Sequence, residues 1–261
     1  MAANSLSARD IARLREVLDV ARPDRSEPPV EATFQVLRLL EQLIGCDGLS
    51  LQDMDSLTFT GSYVQYVEGD EQGVLTPEEL AQMDAAPGLE LLWKNWWRTS
   101  CSLIERTGGP VATTTLSWQS EREWAQDPVH LEYLPFADEA IMGFPLSTFR
   151  SLRVLMPRES GPAFGDREKV LLELLLPHLR PLLTATVEQA APESSPSPLT
   201  QRQQEILGLV RLGMPNKRIG RILGISETTV RTHLENAYAR LGVQSRTAAV
   251  AVAFGEDAAT G

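Results

Sequence analysis

Apolar residues recur at helical spacing through the last quarter of the chain, residues 199–254. Thr200 and Gln203 have the spacing of a capping box and predict a first helix of about three turns. Gly213 is suited to end that helix with a positive φ, and Asn216 to cap a second helix. The apolar side of the second helix is predicted to bury Ile219, Ile222 and Leu223. The pattern therefore begins with two short helices joined by a tight turn.

A third helix is predicted over Glu227–Leu241, after a turn in which Gly224 supplies a left-handed backbone and Ser226 the cap. Helical periodicity divides its residues between two faces. The apolar face consists of Val230, Leu234, Ala237, Tyr238 and Leu241. The opposite face consists of Thr228, Arg231, Thr232 and Glu235. Since the apolar face supplies a core, the polar face is free to contact another molecule.

The first 190 residues mix helical and strand-like patterns. Helices are predicted from Ser7, over residues 30–44, from Thr76, over residues 89–106 after a break at Pro87, and from Arg167. Strands are predicted over residues 49–54, 57–59, 63–67, 137–146 and 149–156. In the closing helix, Pro177 and Pro181 each remove a backbone donor and predict a kink or a break near Leu176. This order indicates an α+β domain.

Three tryptophans stand close together in the predicted helix 89–106. Trp93, Trp96 and Trp97 are at positions i, i+3 and i+4. Burial in the domain core is the favoured interpretation of such large rings. The alternatives are a dimer seam or a ligand pocket, with Trp118 as a further wall of the pocket.

Length and composition narrow the class of protein. A chain of 261 residues with 43% hydrophobic residues has room for about two domains. We expect a cytoplasmic protein without membrane contact, because the sequence shows no signal peptide and no apolar run of 18 residues or more. Cys46 and Cys101 are too few for a disulfide framework or a zinc site. No phosphate loop, GxGxxG, HExxH or GxSxG motif is present, so no enzyme activity, catalytic residue, metal or cofactor is expected.

Charge is divided unevenly along the chain, whose formal net charge is −11. Residues 199–254 carry eight Lys or Arg against three Asp or Glu, whereas residues 1–198 carry 16 against 30. Between the two halves, residues 189–198 (QAAPESSPSP) have the composition of a linker. We therefore expect an acidic regulatory domain over residues 1–188 and a basic, DNA-binding domain over residues 199–261.

The C-terminal segments LTQRQQEIL, GMPNKRIGRILGISETTVRTHLENAYARLGV and SRTAAV resemble the LuxR-type helix-turn-helix of bacterial transcription regulators. The resemblance covers about a fifth of the chain without a gap. It implies an all-α domain of four helices, in which Asn216–Leu223 is the scaffold helix and Glu227–Leu241 the recognition helix. Residues 247–254 would form a fourth helix that usually pairs two copies. Gly220 stands where Ala is usual, and Glu235 where a basic residue is common.

A recognition helix in the major groove of double-stranded DNA presents its polar face to the bases. Arg231 suits guanine, Glu235 can accept from the cytosine amine, and the methyl groups of Thr228 and Thr232 can meet a thymine methyl. Residues bordering that face are candidates for phosphate contact, which sets register but not sequence. These candidates are Lys217, Arg218, Arg221, Thr229, His233, Asn236, Arg240, Ser245 and Arg246.

The N-terminal order of elements resembles a GAF- or PAS-like sensor with helices on an antiparallel sheet, and FGDREKVLLELLLPHLRPLL resembles the closing segment of such sensors. The resemblances together imply a homodimeric transcription regulator that responds to a small-molecule or protein effector and has RNA polymerase as a candidate partner. The alternative hypothesis is a protein-interaction or dimerisation module that acts through the Trp-rich helix.

Overall fold

The computed structural model describes residues 6–22, 26–56, 58–147, 149–190 and 198–254. The chain divides into two compact units, Met1–Ala191 and Pro192–Gly261. Of the predicted linker, Gln189 and Ala190 belong to the last helix of the first unit, and residues 191–197 lie outside the described residues.

The first unit is built on a six-stranded antiparallel sheet. Its strands are β1 (Leu49–Asp55), β2 (Thr60–Glu68), β3 (Glu71–Val74), β4 (Val111–Thr114), β5 (Asp138–Pro145) and β6 (Arg150–Arg158). Their order in the sheet is β3-β2-β1-β6-β5-β4, and every neighbouring pair is antiparallel. The prediction of an α+β domain is confirmed.

The prediction of a strand over residues 57–59 is wrong at Thr58 and Phe59, the two of these residues that the structure describes. Leu57 lies outside the described residues, and Thr58 and Phe59 form a turn before β2. Phe59 has φ of 60°, a left-handed conformation that a bulky side chain rarely adopts. This turn explains why the predicted strand does not extend the sheet at Thr58 and Phe59.

Helices cover both faces of the sheet. They are α1 (Ala8–Val20), α2 (Pro29–Ile44), α3 (Pro77–Asp84), α4 (Pro87–Lys94), α5 (Leu103–Thr107), α6 (Thr115–Trp118), α7 (Glu121–Trp124), α8 (Pro128–Glu132) and α9 (Asp166–Ala190). On one face, α2 and α9 pack together over the sheet, and α1 packs on both. The buried side chains of this main core include Leu37 and Leu40 from α2, Leu175 and Leu179 from α9, and Val154 from β6.

The closing helix α9 is unbroken through Pro177 and Pro181, so of the two predicted outcomes near Leu176, a kink or a break, the break is wrong. Both prolines lie on the exposed side of the helix, as does Glu173, whose carbonyl would otherwise accept from the amide at Pro177. Water can satisfy a carbonyl on that side, and the buried leucines hold the opposite side in the core. By length and composition α9 could cross a membrane, but all of its leucines except the exposed Leu174 are buried in the main core of the unit or pack against it.

The second face of the sheet is covered by short elements between Pro77 and Glu132. The continuous helix predicted over residues 89–106 is wrong, because α4 ends at Lys94 and Asn95 follows it as the C-cap. The side chain of Asn95 donates to the carbonyl of Leu91 at 3.0 Å, and two 3₁₀ turns, Trp96–Arg98 and Ser100–Ser102, follow. We call Leu89–Ser102 the cover segment. Its buried apolar side chains form a second core with Ile141 of β5.

The second unit contains four helices among its described residues. These are α10 (Gln201–Arg211), α11 (Asn216–Leu223), α12 (Glu227–Leu241) and α13 (Arg246–Phe254). The predicted capping box is present: the Gln203 amide donates to Thr200 Oγ1 at 3.3 Å, and the Thr200 amide donates to Gln203 Oε1 at 2.9 Å. The all-α fold predicted for this part of the chain is confirmed.

Two local predictions in α11 are wrong. Pro215, not Asn216, occupies the cap position, and no side chain caps the helix. Ile222 is 42% exposed, since Ile219 and Leu223 fill the interior side of this two-turn helix.

Candidate DNA-binding face and a buried polar cluster

The turn between α11 and α12 fixes the angle of the helix-turn-helix. Gly224 has φ of 65° and ends α11. The Ile225 amide donates to the carbonyl of Gly220 at 2.9 Å, and a Cβ at Gly220 would lie only 2.6 Å from the Ile225 carbonyl oxygen. Ser226 Oγ then accepts from the Thr229 amide at 3.0 Å and caps α12. Gly220 therefore permits a closer approach of the turn to α11 than a residue with a side chain in the same place.

The described face of α12 matches the predicted division of its residues. Val230, Leu234 and Ala237 are buried against the other helices. The four predicted base-reading residues, Thr228, Arg231, Thr232 and Glu235, are all exposed. Because helical periodicity brings these four to one side, the structure leaves a polar strip along the first half of the helix open to solvent.

The predicted phosphate contacts have different surroundings. Exposed members of the set are Lys217, Arg218, Arg221, Thr229, Asn236, Arg240 and Ser245, and half-buried members are His233 and Arg246. Arg246 donates from Nη1 to Asn216 Oδ1 at 3.0 Å and from Nη2 to the Met214 carbonyl. It links the start of α13 to the start of α11. Arg240 donates to the Pro198 carbonyl at 3.3 Å.

A separate group of polar side chains is buried in the first unit, between β6 and the cover segment. Arg153 is 1% exposed, and its Nη2 donates to Glu105 Oε1 at 2.8 Å. The guanidinium lies 4.4 Å from the ring centroid of Trp96, whose Nε1 donates to Glu105 Oε2 at 3.2 Å. On the neighbouring strand β5, Glu139 is buried and accepts from Ser100 Oγ at 3.1 Å. We call Arg153, Glu105, Glu139, Ser100 and Trp96 the buried polar cluster.

Burial dominates the electrostatics of this cluster. Desolvation raises the pKa of Glu105 and lowers the pKa of Arg153, although each stabilises the charge of the other. Desolvation also raises the pKa of Glu139 to about 7 and that of the Cys101 thiol to about 12. A buried ion pair recovers its desolvation cost only when the remaining donors and acceptors are satisfied.

Of the four tryptophans considered for a pocket, one is buried, two are half-buried and one is exposed. Trp96 is 2% exposed, and Trp93 and Trp118 are half-buried with buried indole nitrogens. Trp97 is 55% exposed and does not line the same region, because the break at Asn95 turns it to the outside. The interaction-module hypothesis requires a surface formed by Trp93, Trp96 and Trp97, but only Trp97 is exposed.

Sequence reasoning missed Arg153, Glu105 and Glu139. A signal was present for Arg153, which interrupts the apolar residues Leu152, Val154, Leu155 and Met156 within a predicted strand. Among the described residues, no group of three or more His, Cys, Asp or Glu side chains is placed to hold a metal ion.

The capped turn and the exposed strip of α12 define a helix-turn-helix, the class of domain that inserts a helix into a DNA groove. Residues 197–253 match the family GerE, described as bacterial regulatory proteins, luxR family. The C-terminal unit is thus a domain of the luxR family, and the chain has the organisation of a DNA-binding transcription regulator.

Several solved structures have similar chain paths. The LBD domain of VqsR from Pseudomonas aeruginosa is 14% identical, with a TM-score of 0.44, and the match covers 70% of this chain and 98% of that one. Escherichia coli SdiA is 18% identical, with a TM-score of 0.36 and coverage of 94% and 97%. The GAF domain of a Coxiella burnetii phosphoenolpyruvate-protein phosphotransferase is 14% identical, with a TM-score of 0.39 and coverage of 72% and 100%. At these identities and TM-scores the likeness carries no argument about the function or the ligands of this chain.

Proposed function

We propose that this protein binds a specific DNA sequence as a homodimer and regulates transcription in the cytoplasm, under the control of a signal received by the first unit. The observation that supports sequence-specific binding most strongly is the exposed strip of α12 held on a capped helix-turn-helix. Thr228, Arg231, Thr232 and Glu235 would contact base edges from this strip.

Phosphate contacts are proposed for the exposed cations around the strip. Lys217, Arg218 and Arg221 lie on α11, beside the recognition helix, and their charge attracts DNA of any sequence. Arg246 is proposed to act on DNA through position, since its hydrogen bonds orient the starts of α11 and α13. The remaining candidates are Thr229, His233, Asn236, Arg240 and Ser245, of which His233 is half-buried and the others are exposed.

The direct test is selection of bound DNA from a random pool with the purified full-length protein. We expect enrichment of one motif, present as two inverted half-sites with centres about 10 bp apart or a multiple of that spacing. Recovery of a random pool would contradict sequence-specific recognition. A single, unpaired half-site would contradict the homodimer.

Dimerisation through α13 is the second part of the proposal. Val252 on this helix is 57% exposed, an apolar side chain that a partner copy could cover. We expect Val252→Asp to convert dimers into monomers in sedimentation velocity at micromolar concentration. Ile222→Asp provides a matched control, because Ile222 is also an exposed apolar residue but lies on α11. Loss of dimers in both variants, or in neither, would contradict a specific α13 interface.

A further inference from the structure

The basic residues 199–254 include three carboxylate side chains, and two of them have a role within the fold. Glu205 is paired with Arg202, whose Nη1 lies 2.9 Å from Glu205 Oε2. Glu227 is in the first turn of α12, where the positive end of the helix dipole stabilises an acidic side chain. Glu235 lies beyond that turn, and its exposed carboxylate meets no cation or hydrogen-bond donor among the described residues. Glu235 is therefore available to a molecule outside the chain.

The cation one turn earlier on α12 does not neutralise Glu235. Arg231 is four residues before it, a spacing at which opposite charges on a helix can meet, but a cation that precedes the acid is the less favourable order. No salt bridge joins these two described side chains, and both are exposed. The polar strip of α12 thus presents a cation and an anion that are each open to an external partner.

Glu235 shares its direction with the other members of the strip. The burial of Val230 and Leu234 fixes the rotation of α12, so a DNA groove that receives Arg231 also receives Glu235. At 1.5 Å per residue, Glu235 lies about 10 Å along the helix axis from Thr228. This length corresponds to about three base-pair steps along one DNA strand. Glu235 would therefore meet a base pair other than the one that Thr228 meets.

A carboxylate in a DNA groove is repelled by the phosphates unless it gains a hydrogen-bond donor. In the major groove, only the N4 amine of cytosine and the N6 amine of adenine donate, whereas guanine and thymine present acceptors. Adenine also presents its N7 acceptor beside the amine, and this atom repels a carboxylate. Cytosine presents no acceptor there. Cytosine is therefore the base that best offsets the cost of placing Glu235 in the groove.

We propose that Glu235 determines specificity by acceptance and repulsion together. Its carboxylate accepts from the N4 amine of one cytosine in each half-site and repels DNA that presents no amine at that position. Methylation of that amine has the same consequence, because N4-methylcytosine pairs with guanine through its remaining N–H and places the methyl group in the major groove. The protein then distinguishes an unmodified operator from an N4-methylated one. This inference rests on the proposed function in taking α12 as the recognition helix.

The first test is random-pool selection with three full-length proteins in parallel: unmodified, Glu235→Ala and Glu235→Gln. We expect one cytosine of the motif to lose its preference in Glu235→Ala while the other positions keep theirs. Glu235→Gln should prefer adenine at that position, because an amide pairs with adenine N6 and N7. The same motif in all three proteins overturns the role of Glu235 alone. Recovery of no motif by any protein overturns the proposed function as well.

The second test separates hydrogen bonding from net charge. By fluorescence anisotropy, Glu235→Ala should bind the operator about tenfold more weakly. It should bind scrambled DNA about threefold more tightly, since a negative charge is removed. Glu227→Gln is the matched control on the same helix and should raise both affinities by one factor. If Glu235→Ala also raised both affinities, Glu235 would repel all DNA alike and the proposal would be wrong.

The third test places N4-methylcytosine in the operator at the cytosine assigned to Glu235. We expect the unmodified protein to lose about tenfold in affinity and Glu235→Ala to lose much less, because that variant has no acceptor to displace. The same modification at an operator cytosine whose preference survives in Glu235→Ala is the control, and there the two proteins should respond alike. Equal losses of the two proteins at the assigned cytosine overturn the contact between Glu235 and the amine.

Discussion

Arg231 carries the most specific part of the proposed DNA recognition. Its side chain is exposed on α12, and among the described residues no salt bridge involves it. A bidentate contact to guanine contributes about 1–3 kcal/mol of discrimination against the wrong base. We expect Arg231→Ala to lower the ratio of operator affinity to scrambled-DNA affinity about tenfold, and to relax the preference at one base pair, as measured by mobility shift on a set of single-base variants.

Arg221→Ala is the control for that prediction. Arg221 is exposed on α11, outside the strip of α12, and should weaken binding to operator and scrambled DNA by the same factor. If Arg231→Ala left the ratio of operator affinity to scrambled-DNA affinity unchanged, the assignment of Arg231 to base recognition would be wrong.

The buried carboxyl of Glu139 leads to a prediction about how the free energy of unfolding depends on pH. Burial raises its pKa from 4.5 to about 7. The folded protein therefore holds a proton that the unfolded chain releases above pH 4.5, so the free energy of unfolding falls as pH rises from about 4.5 to about 7 and is level above. The single-site effect is up to about 3 kcal/mol. We expect Glu139→Gln, which keeps an acceptor for Ser100, to lack this part of the decline.

The measurement is urea unfolding at pH 5, 6, 7 and 8, followed by tryptophan fluorescence. All five tryptophans lie between residues 93 and 124, so the signal reports the first unit alone. Asp138 and Glu105 also have raised pKa values and contribute to the total slope. The difference between the unmodified protein and Glu139→Gln isolates the contribution of Glu139. If the free energies of unfolding of the two proteins changed in parallel with pH, the Glu139 carboxyl would have the same pKa in the folded and the unfolded chain.

At the scale of elements, the prolines inside α9 lower the free energy of unfolding, and a substitution can remove that effect. Proline inside a helix deletes a hydrogen bond and costs about 3 kcal/mol, of which the stiffness of the unfolded chain returns up to about 1. The exposed position of Pro177 lowers the remainder further, since water reaches the carbonyl of Glu173. We expect Pro177→Ala to stabilise the first unit by about 1–2 kcal/mol in urea unfolding at pH 7.

Pro29→Ala is the matched control. Pro29 is the first residue of α2, where an amide has no partner within the helix, so its replacement should give no gain. A loss of stability in Pro177→Ala would mean that the proline is required for the path of α9.

Local signals predicted the elements of the second unit because their causes lie within a few residues. The capping side chains of Thr200 and Ser226 and the positive φ of Gly213 and Gly224 each depend on the adjacent turn. The match between the predicted and observed α12 follows from these caps and from a periodic apolar face. The prediction of Asn216 as the cap is wrong, because Pro215 occupies the cap position. The Asn216 side chain instead accepts a hydrogen bond from Arg246, a contact that no local pattern reveals.

The first unit was predicted at the level of fold class and most strands, but not at its buried polar cluster. The 3₁₀ turn that follows α4 holds Trp96 against Arg153, which lies far along the sequence on β6. Helical spacing placed three tryptophans on one helix, whereas tertiary packing separated Trp97 from the other two. The pairing of Arg153 on β6 with Glu105 on α5 likewise joins elements that are distant in the sequence, so no local pattern predicts it.

At the scale of the whole molecule, the distribution of charge decides how the protein meets DNA. At physiological salt, charges act over about 8 Å, so the net charge of −11 matters less than the excess of five positive charges in residues 199–254. Each phosphate neutralised by a cation releases counterions, and the logarithm of the binding constant falls with the logarithm of salt concentration by about 0.9 for each contact. We expect DNA affinity to depend steeply on salt.

The proposed phosphate contacts can then be counted one at a time. Lys217→Ala and Arg221→Ala should each reduce the salt slope by about 1, measured by fluorescence anisotropy between 50 and 300 mM KCl. Arg106→Ala removes an exposed charge from the first unit and should leave the slope unchanged, although it makes the protein more acidic by the same amount. If all three variants lowered the slope equally, net charge would govern binding. If only the two α11 variants did so, the attraction is local to the helix-turn-helix, and the acidic first unit affects DNA binding through its state and not through its charge.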